Sequence, residues 1–110
     1  KFYKNLPIDY YIYLMSKTAC LVGNSSSGIR EGAFIGTPVV NIGTRQKRRQ
    51  RGKNVIDSSH NEKNIYSAII KHIKNGKNKS EHIYGNGNAG KKIANILSKC
   101  DLDVQKIIRY

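Results

Sequence analysis

The chain predicts an α/β layered domain with a mostly parallel sheet. Three observations carry that expectation. An apolar run at 19–22, a β-branched run at 39–42 and a brief stretch at 54–57 have strand length and lie between turn-forming residues. Stretches with apolar residues at helical spacing alternate with them. The first two runs each end in a polar loop opened by a glycine, Gly23 and Gly43. That is the edge at which open α/β sheets bind ligands.

Taken in order, Pro7 favours a helix start, and Ile8, Tyr11, Ile12 and Met15 follow at helical spacing. Ala19-Cys20-Leu21-Val22 reads as a buried parallel strand, with Cys20 as a small buried hydrophobe. A helix is expected over 27–35, stopped by Gly36-Thr37-Pro38. Val39-Val40-Asn41-Ile42 is the next strand, rich in β-branched residues. Residues 43–53 form a basic loop and 54–57 a brief third strand. The stretch 61–74 carries Ile65, Ala68, Ile69 and Ile73 on one face and predicts an amphipathic helix. A polar connector covers 75–80. Residues 85–90, GNGNAG, formally fit a dinucleotide fingerprint. Only His82-Ile83-Tyr84 precedes them, too short for the strand that fingerprint needs, and no acidic residue follows inside a βαβ unit. They read as a turn, with Asn88 as candidate cap of a last helix bearing Ala89, Ile93, Ala94, Ile96, Leu97 and Cys100.

A chain of 110 residues has room for one domain with a real core. No run approaches the roughly 20 apolar residues of a membrane helix. The first residue is Lys1 and no charged-then-apolar leader follows, so a fragment of a longer protein is expected. Cys20 and Cys100 are far apart and suggest neither a redox pair nor a metal cluster. A reducing cytoplasm fits, and no metal or cofactor is expected. The net charge of +13 invites a polyanion. Six of the nine residues from Arg45 to Lys53 are cationic, yet no aromatic lies among them to stack a base. That argues against nucleic acid and leaves another anion as partner, or an acidic complement elsewhere in a longer protein. His60, His72 and His82 read as surface or helix-face residues.

The stretch GNSSSGIREG, from Gly23 to Gly32, is the candidate site. A strand that turns through small residues into a helix points unpaired N–H groups outward. Gly23 and Gly28 would let the backbone approach a ligand closely. Ser25, Ser26 and Ser27 can cap the helix or donate to phosphate oxygens. Glu31, about one turn further on, is a poor neighbour for phosphate, but its two oxygens suit the adjacent hydroxyls of a ribose. The same residues also read as ordinary helix-start chemistry, serine caps and a first-turn glutamate. Arg45 follows the second strand; if the two strands are neighbours, its guanidinium could clamp a diphosphate near the serines, and otherwise it is a solvated charge.

LVGNSSSGIREGAFIGTPVVNIGTRQKRRQRGKNVI resembles the C-terminal domain of the UDP-N-acetylglucosamine 2-epimerases, most closely the hydrolysing branch. The resemblance extends to NLPIDYYIYLMSKTACLVGNSSSG and to YGNGNAGKKIANIL, covering nearly the whole chain. The non-hydrolysing branch usually has an Asp-Ser-Gly-Gly loop and lacks Gly-Thr-Arg-Gln. The resemblance implies a Rossmann-like domain, residues 1–110, forming one half of a B-type glycosyltransferase-like fold whose N-terminal domain is absent. It implies that Ser25 and Ser26 hold a diphosphate, Glu31 the ribose hydroxyls, and Arg45 a phosphate. It also implies that the backbone of Leu6 contacts uracil and that Tyr11 lies close to the nucleotide. The implied reaction eliminates UDP to give a 2-acetamidoglucal, which water converts to N-acetylmannosamine. UDP-N,N'-diacetylbacillosamine is an alternative substrate, and a non-catalytic nucleotide-binding module an alternative class. The family's acid and base residues match no position of this chain, so no catalytic residue is expected in it. A homo-oligomer is implied, with neither a membrane nor a nucleic acid as partner.

Overall fold

The structure is a computed structural model and describes residues 1–101. Its sheet has three parallel strands in the order β1 (Leu21–Gly23), β2 (Val39–Ile42) and β3 (Val55–Ser58). Gly23 pairs with Asn41, and Ile42 with Ser58, so all three carboxyl ends meet at one edge. The α/β, mostly parallel architecture expected from the sequence is therefore present. β1 and β3 begin later than the apolar runs suggested. Thr18 leaves the first helix in extended conformation, and the chain joins the sheet only where Leu21 N–H donates to Pro38 O at 2.8 Å. Cys20 is half-buried on that approach rather than enclosed. Even so, the burial it has pushes its thiol pKa up.

Helix α1 (Ile8–Lys17) starts at Pro7 and buries Met15. The Thr37 hydroxyl donates to Met15 O at 2.8 Å and ties the helix to the entry of β2. The expected single helix over 27–35 is instead two, α2 (Ser26–Ile29) and α3 (Glu31–Ile35), broken at Arg30 with ψ −71°. Two glycines in so short a stretch weaken the helix, and both face inward. A β-carbon on Gly28 would lie 2.9 Å from Val39 Cγ1 and 3.1 Å from Leu21 Cδ2; one on Gly32 would lie 3.2 Å from Asn54 Nδ2. Gly28 thus admits strand side chains, and its bare face does not point at a ligand. Gly36, with φ 79°, closes α3 in the left-handed conformation that glycine adopts without strain.

Helix α4 (Glu62–Asn75) is capped by Asn61, whose Oδ1 accepts from Asn64 N–H at 3.3 Å. It packs on β2 and β3 through Ala68 and His72. The periodicity assigned Ile73 to this face, but Ile73 is 54% exposed and His72 takes the inward position. The core comprises Met15, Ile29, Ala33, Val39, Val40 and Ala68, together with the buried amides Asn41, Gln46 and Asn54. Asn54 donates to Gly28 O at 3.2 Å and Thr37 O at 2.9 Å, clamping α2 to the start of β2. The connector is strapped to α3, with Asn78 N–H on Gly36 O and Glu81 N–H on Ala33 O. Helix α5 (Ala89–Leu97) is exposed along its length, and Asn88 precedes it without a side-chain cap bond. Among the described residues no helix is long and apolar enough to cross a membrane.

Candidate nucleotide site

The site grows from the carboxyl ends of β1 and β2. β1 ends on Gly23, whose φ of +152° turns the chain into Asn24 and the serines. Ser25 is the N-cap of α2, and its hydroxyl oxygen accepts from Ser27 N–H at 3.3 Å. Ser25 Oγ and Ser27 Oγ are 2.9 Å apart, and Ser27 Oγ lies 2.6 Å from the Tyr11 hydroxyl. A line of hydroxyls therefore runs from α1 to the loop edge. Ser26 begins α2 and is half-buried. Because α2 has only four residues, its dipole is weak.

β2 ends in Gly43-Thr44-Arg45-Gln46. Arg45 is exposed and reaches back to the β1 loop, with Nη1 3.5 Å from Asn24 Oδ1. Gln46 is buried and donates to Asn24 O at 2.8 Å. Arg45 and the serines thus share one edge of the sheet. The basic loop is not a uniform comb of free cations. Arg51 pairs with Asp57 at 3.0 Å and donates to Gln46 O and Arg49 O, both at 2.8 Å. Lys47, Arg48 and Arg49 are exposed, Arg48 with φ 69°.

Glu31 opens α3 and is half-buried. It lines a cavity of about 540 Å³ with Ile12, Arg30, Phe34 and Tyr84. Tyr84 donates to Gln50 O at 2.6 Å and holds the glycine-rich turn against the basic loop. Leu6 is half-buried just before Pro7. Tyr11 touches the serine loop directly through Ser27.

The histidines separate. His60 sits at the same sheet edge, where a β-carbon on Gly43 would lie 2.9 Å from its ring. His82 meets Phe34 edge-on at 5.0 Å. Of the two readings left open, surface or helix face, His72 takes the second: it is buried on the inner face of α4, and its Nε2–H donates to Val39 O at 3.0 Å. Burial, aided by nearby Lys71, holds its pKa below the ordinary imidazole value, against the pull of the Val39 carbonyl. Sequence reasoning missed Asn24, Gln46, Arg51 and Asp57. The signals were that Asn24 precedes the serines in Gly-Asn-Ser-Ser and that Gln46 follows Arg45 in Gly-Thr-Arg-Gln.

Comparison with known proteins gives a consistent result. The family described as UDP-N-acetylglucosamine 2-epimerase matches residues 1–98. A UDP-N-acetylglucosamine 2-epimerase of Neisseria meningitidis serogroup B is 34% identical over 85 residues, 77% of this chain and 22% of that protein. A GDP/UDP-N,N'-diacetylbacillosamine 2-epimerase (hydrolyzing) of Campylobacter jejuni is 48% identical over 62 residues, 56% of this chain and 16% of that protein. A UDP-N,N'-diacetylbacillosamine 2-epimerase (hydrolyzing) of Legionella pneumophila is 32% identical over 102 residues, 93% of this chain and 27% of that protein. The matched part is little more than a quarter of each of these relatives, or less.

Proposed function

The chain belongs to the UDP-N-acetylglucosamine 2-epimerase family, and from that premise we propose that it is the UDP-binding half of a hydrolysing 2-epimerase. The observation that carries this reading is that Arg45 and Gln46, after β2, both reach Asn24, the residue that opens the serine loop after the neighbouring β1. Ser25 and Ser26 hold the diphosphate, and Arg45 closes on it from the β2 side. Glu31, in its cavity beside α1, accepts from the ribose hydroxyls. Tyr11 and the backbone of Leu6 flank the uracil end.

In the reaction a base removes the proton at sugar C2, the C1–oxygen bond breaks, and UDP departs with the bonding pair. Water then adds across the resulting 2-acetamidoglucal, and the epimerised free sugar leaves. This chain contributes stabilisation of the charge on the departing diphosphate. The proton at C2 is handled by groups from an N-terminal domain across the cleft, so the 110-residue piece is inactive by itself. The enzyme works in the cytoplasm as a homo-oligomer, without metal or cofactor.

UDP-N-acetylglucosamine is the first substrate reading. UDP-N,N'-diacetylbacillosamine is the second, supported by the similarity to the Legionella protein over 93% of this chain and to the Campylobacter protein, whose name gives GDP or UDP as the nucleotide. Turnover assays with both sugars on the full-length enzyme separate them, and a protein that binds UDP yet turns over neither would be a nucleotide-binding module. For the site, calorimetry with UDP, ADP and GDP is expected to show preference for UDP. Arg45→Ala should weaken UDP by roughly 10- to 100-fold, the range of a lost hydrogen bond to a charged group. Ser26→Ala should weaken it less, and Glu31→Ala should erase any preference for UDP over 2'-deoxy-UDP. Unchanged UDP affinity in Arg45→Ala would refute the assignment.

A further inference from the structure

We infer that Gln46 is the positioning residue of the anion site, fixing the β2 loop against the serine loop so that Arg45 remains free to close on phosphate. The inference rests on the nucleotide reading above and adds a residue which that reading does not use. Arg45 does not anchor itself. Its contact with Asn24 Oδ1, at 3.5 Å, is at the limit of a hydrogen bond, and its side chain is exposed. Gln46, next in the chain, is 3% exposed and donates to the Asn24 carbonyl at 2.8 Å. One residue is the fixed anchor and its neighbour the movable clamp.

The anchor is itself held. Arg51 donates to Gln46 O at 2.8 Å while paired with Asp57, and Asp57 Oδ1 accepts from Asn41 Nδ2 at 2.6 Å. One chain of contacts thus joins Asn24 after β1, Asn41 on β2, Gln46 after β2 and Asp57 on β3. It sets the spacing of the loops at the edge where the diphosphate would sit. Gln46 Oε1 is enclosed with no partner among the described residues. An apolar side chain of similar length would fill the same space. What the amide adds is the N–H donor that grips the Asn24 carbonyl.

The test uses the full-length enzyme with UDP and with uridine, which lacks the phosphates. Gln46→Met is expected to melt within a few degrees of the parent. It should bind UDP about tenfold more weakly, the scale of one hydrogen bond, and uridine unchanged. A merely structural residue would lower the melting temperature or weaken both ligands alike, and either result overturns the inference. Asp57→Asn is a second test at an exposed residue, whose side-chain amide oxygen can still accept from Asn41. Removing a negative charge near the site would strengthen UDP binding by simple electrostatics, whereas loosening Arg51 from Gln46 should weaken it. Stronger or equal UDP binding in Asp57→Asn overturns the inference. If the parent binds UDP and Arg45→Ala does not, while Gln46→Met equals the parent, the nucleotide reading stands and only this inference falls. A parent protein indifferent to UDP refutes both.

Discussion

His72 carries a pH signature that can be read without knowing the ligand. Its ring is buried on α4 and donates to Val39 O, and burial holds its pKa below the unfolded value of about 6.5. A depressed folded pKa means that the unfolded chain binds the proton first. The stabilisation is therefore whole above pH 6.5 and is lost as pH falls from there through the folded pKa. Thermal melts from pH 7.5 down to 5 should fall on this side, and His72→Gln should flatten that stretch while lowering stability at neutral pH by about 1 kcal/mol. A parallel fall in the variant would show that other groups drive the loss.

At the scale of elements, the β1–α2–α3–β2 unit is built on close approach. Gly28 and Gly32 let the broken helix rest on Val39 and Asn54, and that seating fixes where Ser25 and Ser26 stand. Gly28→Ala puts a methyl 2.9 Å from Val39 Cγ1, so the helix must lift or the valine must turn. Overpacking of this kind costs about 1–3 kcal/mol. Denaturant melts should register that loss, and UDP binding should weaken with it because the serines move. A Gly28→Ala protein of parental stability would mean that α2 is not seated as described. Gly36→Ala is less tolerable still, since its φ is positive and the Asn78 carbonyl lies in the way.

At the scale of the molecule, the described residues form an elongated body. Its radius of gyration is 18.6 Å, against about 13 Å for a compact domain of similar length. Several apolar groups are exposed on it. Leu14 and Val22 are open on α1 and β1, and Ile93, Ile96 and Leu97 stand out on α5 at 52–59% exposure. Uncovered apolar surface of this kind favours association, while a net charge of +13 opposes it. Salt decides between them, because it screens the charge and leaves the apolar attraction. Sedimentation of the isolated 110-residue chain should therefore give a mass near 12.4 kDa at low salt and a rising mass at high salt. A monomer at every salt concentration would mean that these residues are covered.

Local chemistry was enough to reveal the alternation of helices and strands, the parallel sheet and the serine loop at a strand end. Pro7, the β-branched run at 39–42 and the turn at Gly36 act over a few residues and are legible in any context. The break at Arg30, the inward turn of His72 and the inward faces of Gly28 and Gly32 were not, because each depends on what lies across the sheet. The hold of Gln46 on Asn24, at a separation of 22 residues, has no period and no local preference behind it. A contact of that kind exists only once two strands have paired and brought their ends together, so tertiary structure alone could place it.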